Sequence, residues 1–277
     1  ESQYEQLEPW IQWVTAHTGK SFQEHGVFRL GDIVNQDLPQ IWEALESMGL
    51  KVGAISPMNA KFRLRDPVFF VPDPWTRTGI KASDTLRHLY DALCQVVNDN
   101  ASSKLTASSV GGLLRGLLAY ARLRNYCEYG RFAATSLRRP WRKAMLLDML
   151  LADVFVSEVR RGAPHFASLF LNAAAHIQHH YMFCAAPYAG ERSNPDWYIA
   201  PGVDPILEVY ALYDDIVGEI QRCFPKARLI IATGLHQVPY EKVLFYWRLR
   251  NHESFLREVG VPFARVEPRM SRDFLVQ

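Results

Sequence analysis

An apolar run, Phe166 to Leu171, is fenced upstream by Arg161-Gly162-Ala163-Pro164 and passes straight into three histidines, His176, His179 and His180. Six consecutive apolar or small residues between breakers have the length and character of a buried parallel strand. Positions i, i+3 and i+4 share one face of a helical turn. The stretch therefore predicts a fully buried strand followed by a helix that carries three imidazoles just beyond the strand's carboxyl end. That end is where open α/β sheets place their ligand sites. Each imidazole brings two nitrogens that need partners, so three on one turn make a poor core and a good candidate site, here a metal site. The plainer alternative is a half-exposed helix start with ordinary polar histidines.

Upstream, Asp37 to Met48 carries Ile41, Trp42, Leu45 and Met48 at helical spacing and stops at Gly49, and Leu50 to Pro57 follows as a strand. Helix, glycine, strand is the rhythm of an α/β domain. Residues 1–35 are punctuated by Pro9, Gly19, Gly26 and Gly31 and predict a loop with one short helix near Ile11 to His17. Prolines crowd residues 59–82, which predicts an extended passage leading out of the core. Residues 83–160 are expected to be wholly helical. An all-helical insertion between two strands is a natural cap over a site. The expected division is an α/β core of residues 1–59 and 145–277, with a helical cap of residues 60–144.

Beyond the histidines, residues 184–205 form a Pro-, Gly- and Asn-rich excursion with Tyr188, Trp197 and Tyr198, and Ile206 to Cys223 has helical spacing. Ala227 to Ala232 is a second apolar run and predicts a second buried strand, again with a histidine, His236, just past its end. Two neighbouring parallel strands ending in histidine would bring those histidines to one site. The tail predicts an amphipathic segment from Lys242 to Gly260 and an edge strand over Phe263 to Glu267.

Formal net charge is +2, which offers no bulk attraction to nucleic acid or to a membrane surface. The four cysteines form no CxxC pair and no disulfide framework, which points to a cytoplasmic setting. No 18-residue apolar run predicts a membrane span. No glycine-rich phosphate loop after a strand and no Gly-x-Ser-x-Gly elbow is present.

The order of these features resembles the alkaline phosphatase superfamily, which includes sulfatases and type I phosphodiesterases. His17-Thr18-Gly19 through Glu24-His25-Gly26-Val27 is similar to the family's phrase after the nucleophile. Residues 41–56 resemble its next helix and strand. Asn172 to His180 looks like its Asp-x-x-x-His metal motif, residues 207–220 like the helix that follows, and residues 227–237 like the strand ending in Asp-His-Gly. The resemblance implies a mostly parallel sheet flanked by helices. It also implies a metal-dependent hydrolase or transferase acting on a small-molecule phosphate, phosphodiester or sulfate ester, with zinc or manganese as the divalent metal.

This sequence departs from the pattern at defined places. The nucleophile position falls on Pro9. The Asp of Asp-x-x-x-His falls on Ala175 or His176, and the Asp of the Asp-His pair on Leu235. The family's first metal Asp would lie upstream of Glu1. Two explanations are open. In one, the metal is held by His176, His180 and His236, with Glu8, Glu24 and Asp214 as orienting carboxylates and Trp10, His17, His25 and His179 facing the substrate. Three neutral imidazoles and a water make an acceptable zinc site. In the other, the fold persists as a catalytically silent binding or scaffold domain.

Overall fold

A computed structural model describes residues 9–98, 107–233, 237–239, 249–268 and 274–277. The amino-terminal elements are held by their caps. α1 (Pro9–Thr18) starts at proline, whose missing N–H is no loss at a first helical position, and turns Ile11 and Val14 inward. α2 (Phe22–His25) carries a capping box in which the Glu24 carboxylate accepts from the Ser21 backbone, and it ends at Gly26, φ 63°. α3 (Ile41–Ser47) is closed the same way by Gln40 and Glu43 and buries Trp42.

A parallel sheet of order β2-β1-β3 follows, from β1 (Val52–Ile55), β2 (Phe69–Val71) and, much later, β3 (Phe166–Leu169). Gly53 lies opposite Phe69 on one side and Ala167 on the other. A β-carbon on Gly53 would meet the Phe69 ring at 2.4 Å, so the glycine is what lets that ring lie across the strand. The strand period of two divides the side chains between two cores. Val52, Ala54 and Phe70 pack with Trp42 under α3, whereas Ile55, Phe69 and Val71 join the large helical core.

That core is built by α4 (Asp84–Asn98), α5 (Ala107–Tyr120), α6 (Tyr126–Thr135), α7 (Arg142–Gly162), α8 (Ala173–Tyr181) and α9 (Pro205–Cys223). Gly112 and Gly116 let α5 sit close on α4: β-carbons there would meet His88 O at 3.0 Å and Leu89 Cδ1 at 2.5 Å. α10 (His252–Glu258) and an antiparallel pair, β4 (Val266–Pro268) with β5 (Phe274–Val276), complete the described chain. The architecture is mixed α/β with a small parallel sheet. All four cysteines are free, and no helix among the described residues is long and apolar enough to cross a membrane.

Three expectations need correction. Residues 59–82 do not simply lead out of the core, because they contain β2, squeezed between Pro67 and Pro72 and fully buried. β3 is half-buried rather than fully buried: among the described residues no strand or bridge lies beyond it, whereas the other edge, β2, is bridged by Lys81 at Phe70. Ala227 to Ala232 is no strand at all: it runs as exposed chain, with Ile230 73% and Ile231 66% accessible. Apolar composition matched a strand, but a strand also needs a neighbour for its backbone groups, and this segment takes none from β3. The four helices α4–α7 match the expected helical stretch. Their buried residues share one cluster with Ile55, Ala173 and Ile177, so packing continues across the boundary drawn at residue 144.

Candidate functional site

The carboxyl end of β3 leads through Phe170, Leu171 and Asn172 into α8. Asn172 supplies no side-chain cap. Two distant residues do that work instead. Asp148 of α7 accepts the Ala173 N–H at 2.7 Å, and the Tyr213 hydroxyl of α9 accepts the Ala174 N–H at 3.1 Å while donating to Asp148 at 2.6 Å. Burial pushes the Asp148 carboxyl up to about 6, against the pull of these donors. The start of α8 is thereby tied to α7 and α9 at once.

His176, His179 and His180 share one face of α8, as their spacing predicted, and all three are exposed. The rings of His176 and His180 lie 5.0 Å apart, centroid to centroid. Loss of surrounding water holds His176, His179 and His180 below the ordinary histidine range. The neighbouring imidazoles add to this for His176 and His180. Neutral imidazole is the form that binds a metal. His180 Nδ1 sits 3.1 Å from the Tyr198 hydroxyl, and Asn194 Nδ2 donates to the His180 carbonyl at 3.1 Å. Tyr198 stacks on Tyr181, and Trp197 beside it is 85% exposed. The 184–205 excursion is thus pinned to the histidine helix. Gln237, next to His236 in sequence, donates to Ala175 O at 3.1 Å.

The other expected residues lie elsewhere or serve other ends. Glu8 and His236 are outside the described residues. Glu24 is an exposed cap of α2, held well below the usual carboxylate range by its Ser21 bonds, and orients no histidine. Asp214 is exposed on α9 and makes no hydrogen bond or ion pair among the described residues. His25 is buried with both nitrogens engaged. Val27 N–H donates to Nδ1 at 3.0 Å, so the ring proton sits on Nε2, which donates to Thr15 Oγ1 at 3.1 Å. His25 therefore turns no nitrogen toward a substrate. His17 donates Nε2–H to Met58 O at 3.0 Å and lies against Trp13 and Trp42; burial lowers it to about 4. Trp10 contributes its carbonyl to Asn59. Trp13 of this amino-terminal segment meets the β3 end, its ring edge-on to Phe170 at 4.8 Å.

Sequence reasoning passed over a polar knot at the carboxyl ends of β1 and β2. Asp73 is fully buried. It accepts from the backbone N–H groups of Asn59, Trp75 and Thr76 at 2.8, 2.8 and 2.9 Å. Ser56 and Asn59 hold left-handed backbone, φ 56° and 51°, at this turn. The one signal for it was Pro72-Asp73-Pro74 directly after an apolar triplet, a turn-forming context in which Asp bonds its own following backbone. Among the described residues no group of three or more His, Cys, Asp or Glu is arranged to hold a metal ion. No family model, curated protein or solved structure matches the chain.

Proposed function

We propose that the chain is a metal-dependent hydrolase or transferase of a phosphate, phosphodiester or sulfate ester, built on an alkaline-phosphatase-like α/β core, with its site on the exposed face of α8. The pairing of His176 with His180 carries this reading. Their rings are neutral, one turn apart and 5.0 Å between centroids, a separation that one ion with metal–nitrogen bonds of about 2 Å spans. Two imidazoles would fit half of a tetrahedral zinc site, and His236 would be the third ligand. The bond from Gln237 to Ala175 supports that choice, since it ties the neighbouring residue to α8.

His176, His180 and His236 would hold the ion. A bound zinc or manganese supplies Lewis acidity and a water of lowered pKa. The chain's own work is orientation. Tyr198 fixes His180 through Nδ1, which leaves Nε2 as the ligand atom when Nδ1–H donates to the tyrosine. His179 and Trp197 border the substrate. With Pro9 at the nucleophile position, water is the attacking group.

A second reading, a silent binding domain on the same fold, draws on one observation: neither Glu24 nor Asp214 reaches the histidines. Metal content separates the two. Purified without chelator, the protein is expected to carry close to one zinc or manganese per chain and to cleave aryl phosphate, phosphodiester or sulfate esters. His180→Ala should lower occupancy below half. Absence of metal after incubation with excess zinc, and of any turnover, leaves the silent domain standing.

A further inference from the structure

At the opposite end of β3 from the histidines, a cleft of about 370 Å³ opens between Tyr120, Arg122, Val156, Ser157, Arg160 and Arg161. This is within the range of small-molecule pockets, about 300–1,000 Å³. Its walls come from the end of α5, the chain just after it and the last turns of α7. Two more arginines, Arg124 and Arg222, stand behind it on Glu219.

Five guanidiniums here face three carboxylates. Glu219 is shared by Arg122, Arg124 and Arg222 and also accepts from Cys223 Sγ. Glu158 pairs with Arg161 at 2.6 Å and takes the Tyr120 hydroxyl. Asp153 is buried and engaged by Arg122 N–H, Asn125 and Tyr129. Arg160 is left with no carboxylate among the described residues; its hydrogen bond goes to the thiol sulfur of Cys223 at 3.2 Å. Sulfur is a weak acceptor, and a guanidinium is a rigid fork of five donors suited to two oxygens at once.

A plainer account is that α5, α7 and α9 all end near this place and their carbonyl ends attract cations. That explains why arginines gather. It does not explain a cleft lined by three of them, nor a guanidinium pointed at a thiol. We propose that this cleft is a binding site for the phosphate group of a small phosphorylated molecule, with Arg160 as its principal donor and Arg122 and Arg161 beside it. The site is independent of α8 and of any reaction there.

The test is calorimetric titration with sodium phosphate and, separately, sodium succinate at low ionic strength. The protein is first dialysed against EDTA, so that no ion at α8 offers a second anion site. Phosphate should bind saturably and more tightly than succinate. Arg160→Gln should weaken it at least fivefold, and Arg160→Lys, which keeps charge and loses the fork, by an intermediate factor. A His176→Ala/His180→Ala double variant should bind phosphate as the parent does. Any one of four results overturns the proposal: no saturable binding by the parent, binding that both Arg160 variants retain, loss in the histidine variant, or preference for succinate. Thermal melts of each variant confirm that the fold persists, since Arg160 holds no ion pair among the described residues whose loss would unfold it.

Discussion

The carboxyl edge of one small sheet is finished in two ways. At the ends of β1 and β2 the principal polar groups are turned inward. Asp73 gathers three backbone N–H groups, His25 uses both ring nitrogens, and His17 is closed between Trp13, Trp42 and Met58 O. At the end of β3 the anchoring groups, Asp148 and Tyr213, sit beneath α8, and the imidazoles above them are exposed. The first corner holds its polar groups for structure. The second separates the groups that fix the helix from the groups left for a ligand. Polarity alone therefore does not mark a site; bonding capacity left open at the surface does.

The contrast breaks most visibly if Asp73 can be dispensed with. Asp73→Ala leaves three buried N–H groups without acceptors, and unfolding in denaturant should show a loss of about 4 kcal/mol, from roughly 1–3 per orphaned group with partial relaxation. A loss under about 1 kcal/mol would mean the knot is not structural.

A subtler effect comes from pH, because the buried histidine His17 and the buried carboxyl Asp148 titrate in opposite senses. His17, lowered to about 4 from 6.5, binds its proton more readily when unfolded, so its contribution is lost as pH falls from 6.5 to 4. Asp148, raised to about 6 from 3.8, binds its proton more readily when folded, so its contribution is lost as pH rises from 3.8 to 6. The parent should show these slopes largely offset between pH 4 and 6. Relative to it, His17→Gln should gain stability toward acid and Asp148→Asn should lose it, each on the order of 2 kcal/mol across the window. Asp73 and Asp153 slope with Asp148, and His25, His176, His179 and His180 slope with His17, so the difference from the parent is the readout. Parallel profiles for all three proteins would remove the opposition.

Next in size is Tyr198→Phe. Partners of metal-bound histidines are worth about 10–100-fold in affinity. Competition with a chromogenic chelator should show zinc held about tenfold more weakly, with the melting temperature barely moved. An unchanged zinc affinity would take Tyr198 out of the site. The smallest effect is expected for His176→Ala: an exposed ring with no hydrogen bond among the described residues should change stability by less than about 0.5 kcal/mol. A cost of 2 kcal/mol or more would show that the open corner is structural after all.

What could be read in the chain beforehand follows the range of the interactions. α3 with β1, and β3 with α8, are local units whose spacing and glycine stops announce them. The histidine face was legible because i, i+3, i+4 is a property of one turn. β2 was not, since Phe69–Val71 is three residues between prolines and becomes a strand only by pairing with β1. Residues 227–232 misled in the opposite direction, with strand composition but no strand beside them. Asp148 and Tyr213 meet α8 from 25 and 39 residues away in sequence, a link no window of residues reveals.

Strand order also sets a timetable for synthesis. β1 and β2 leave the ribosome close together, but β1's other partner is Phe166–Leu169. At roughly 5–20 residues per second, translation from Val71 to Phe166 takes on the order of ten seconds. Throughout that interval the nascent chain exposes one flank of Val52–Ile55, the central strand of the sheet and buried along its whole length, with nothing of its own yet made to cover it. Slowing translation across α4–α7 should therefore lengthen the period in which a holding chaperone is needed, and folding yield in the cell should depend on codon speed there more than anywhere downstream of α8.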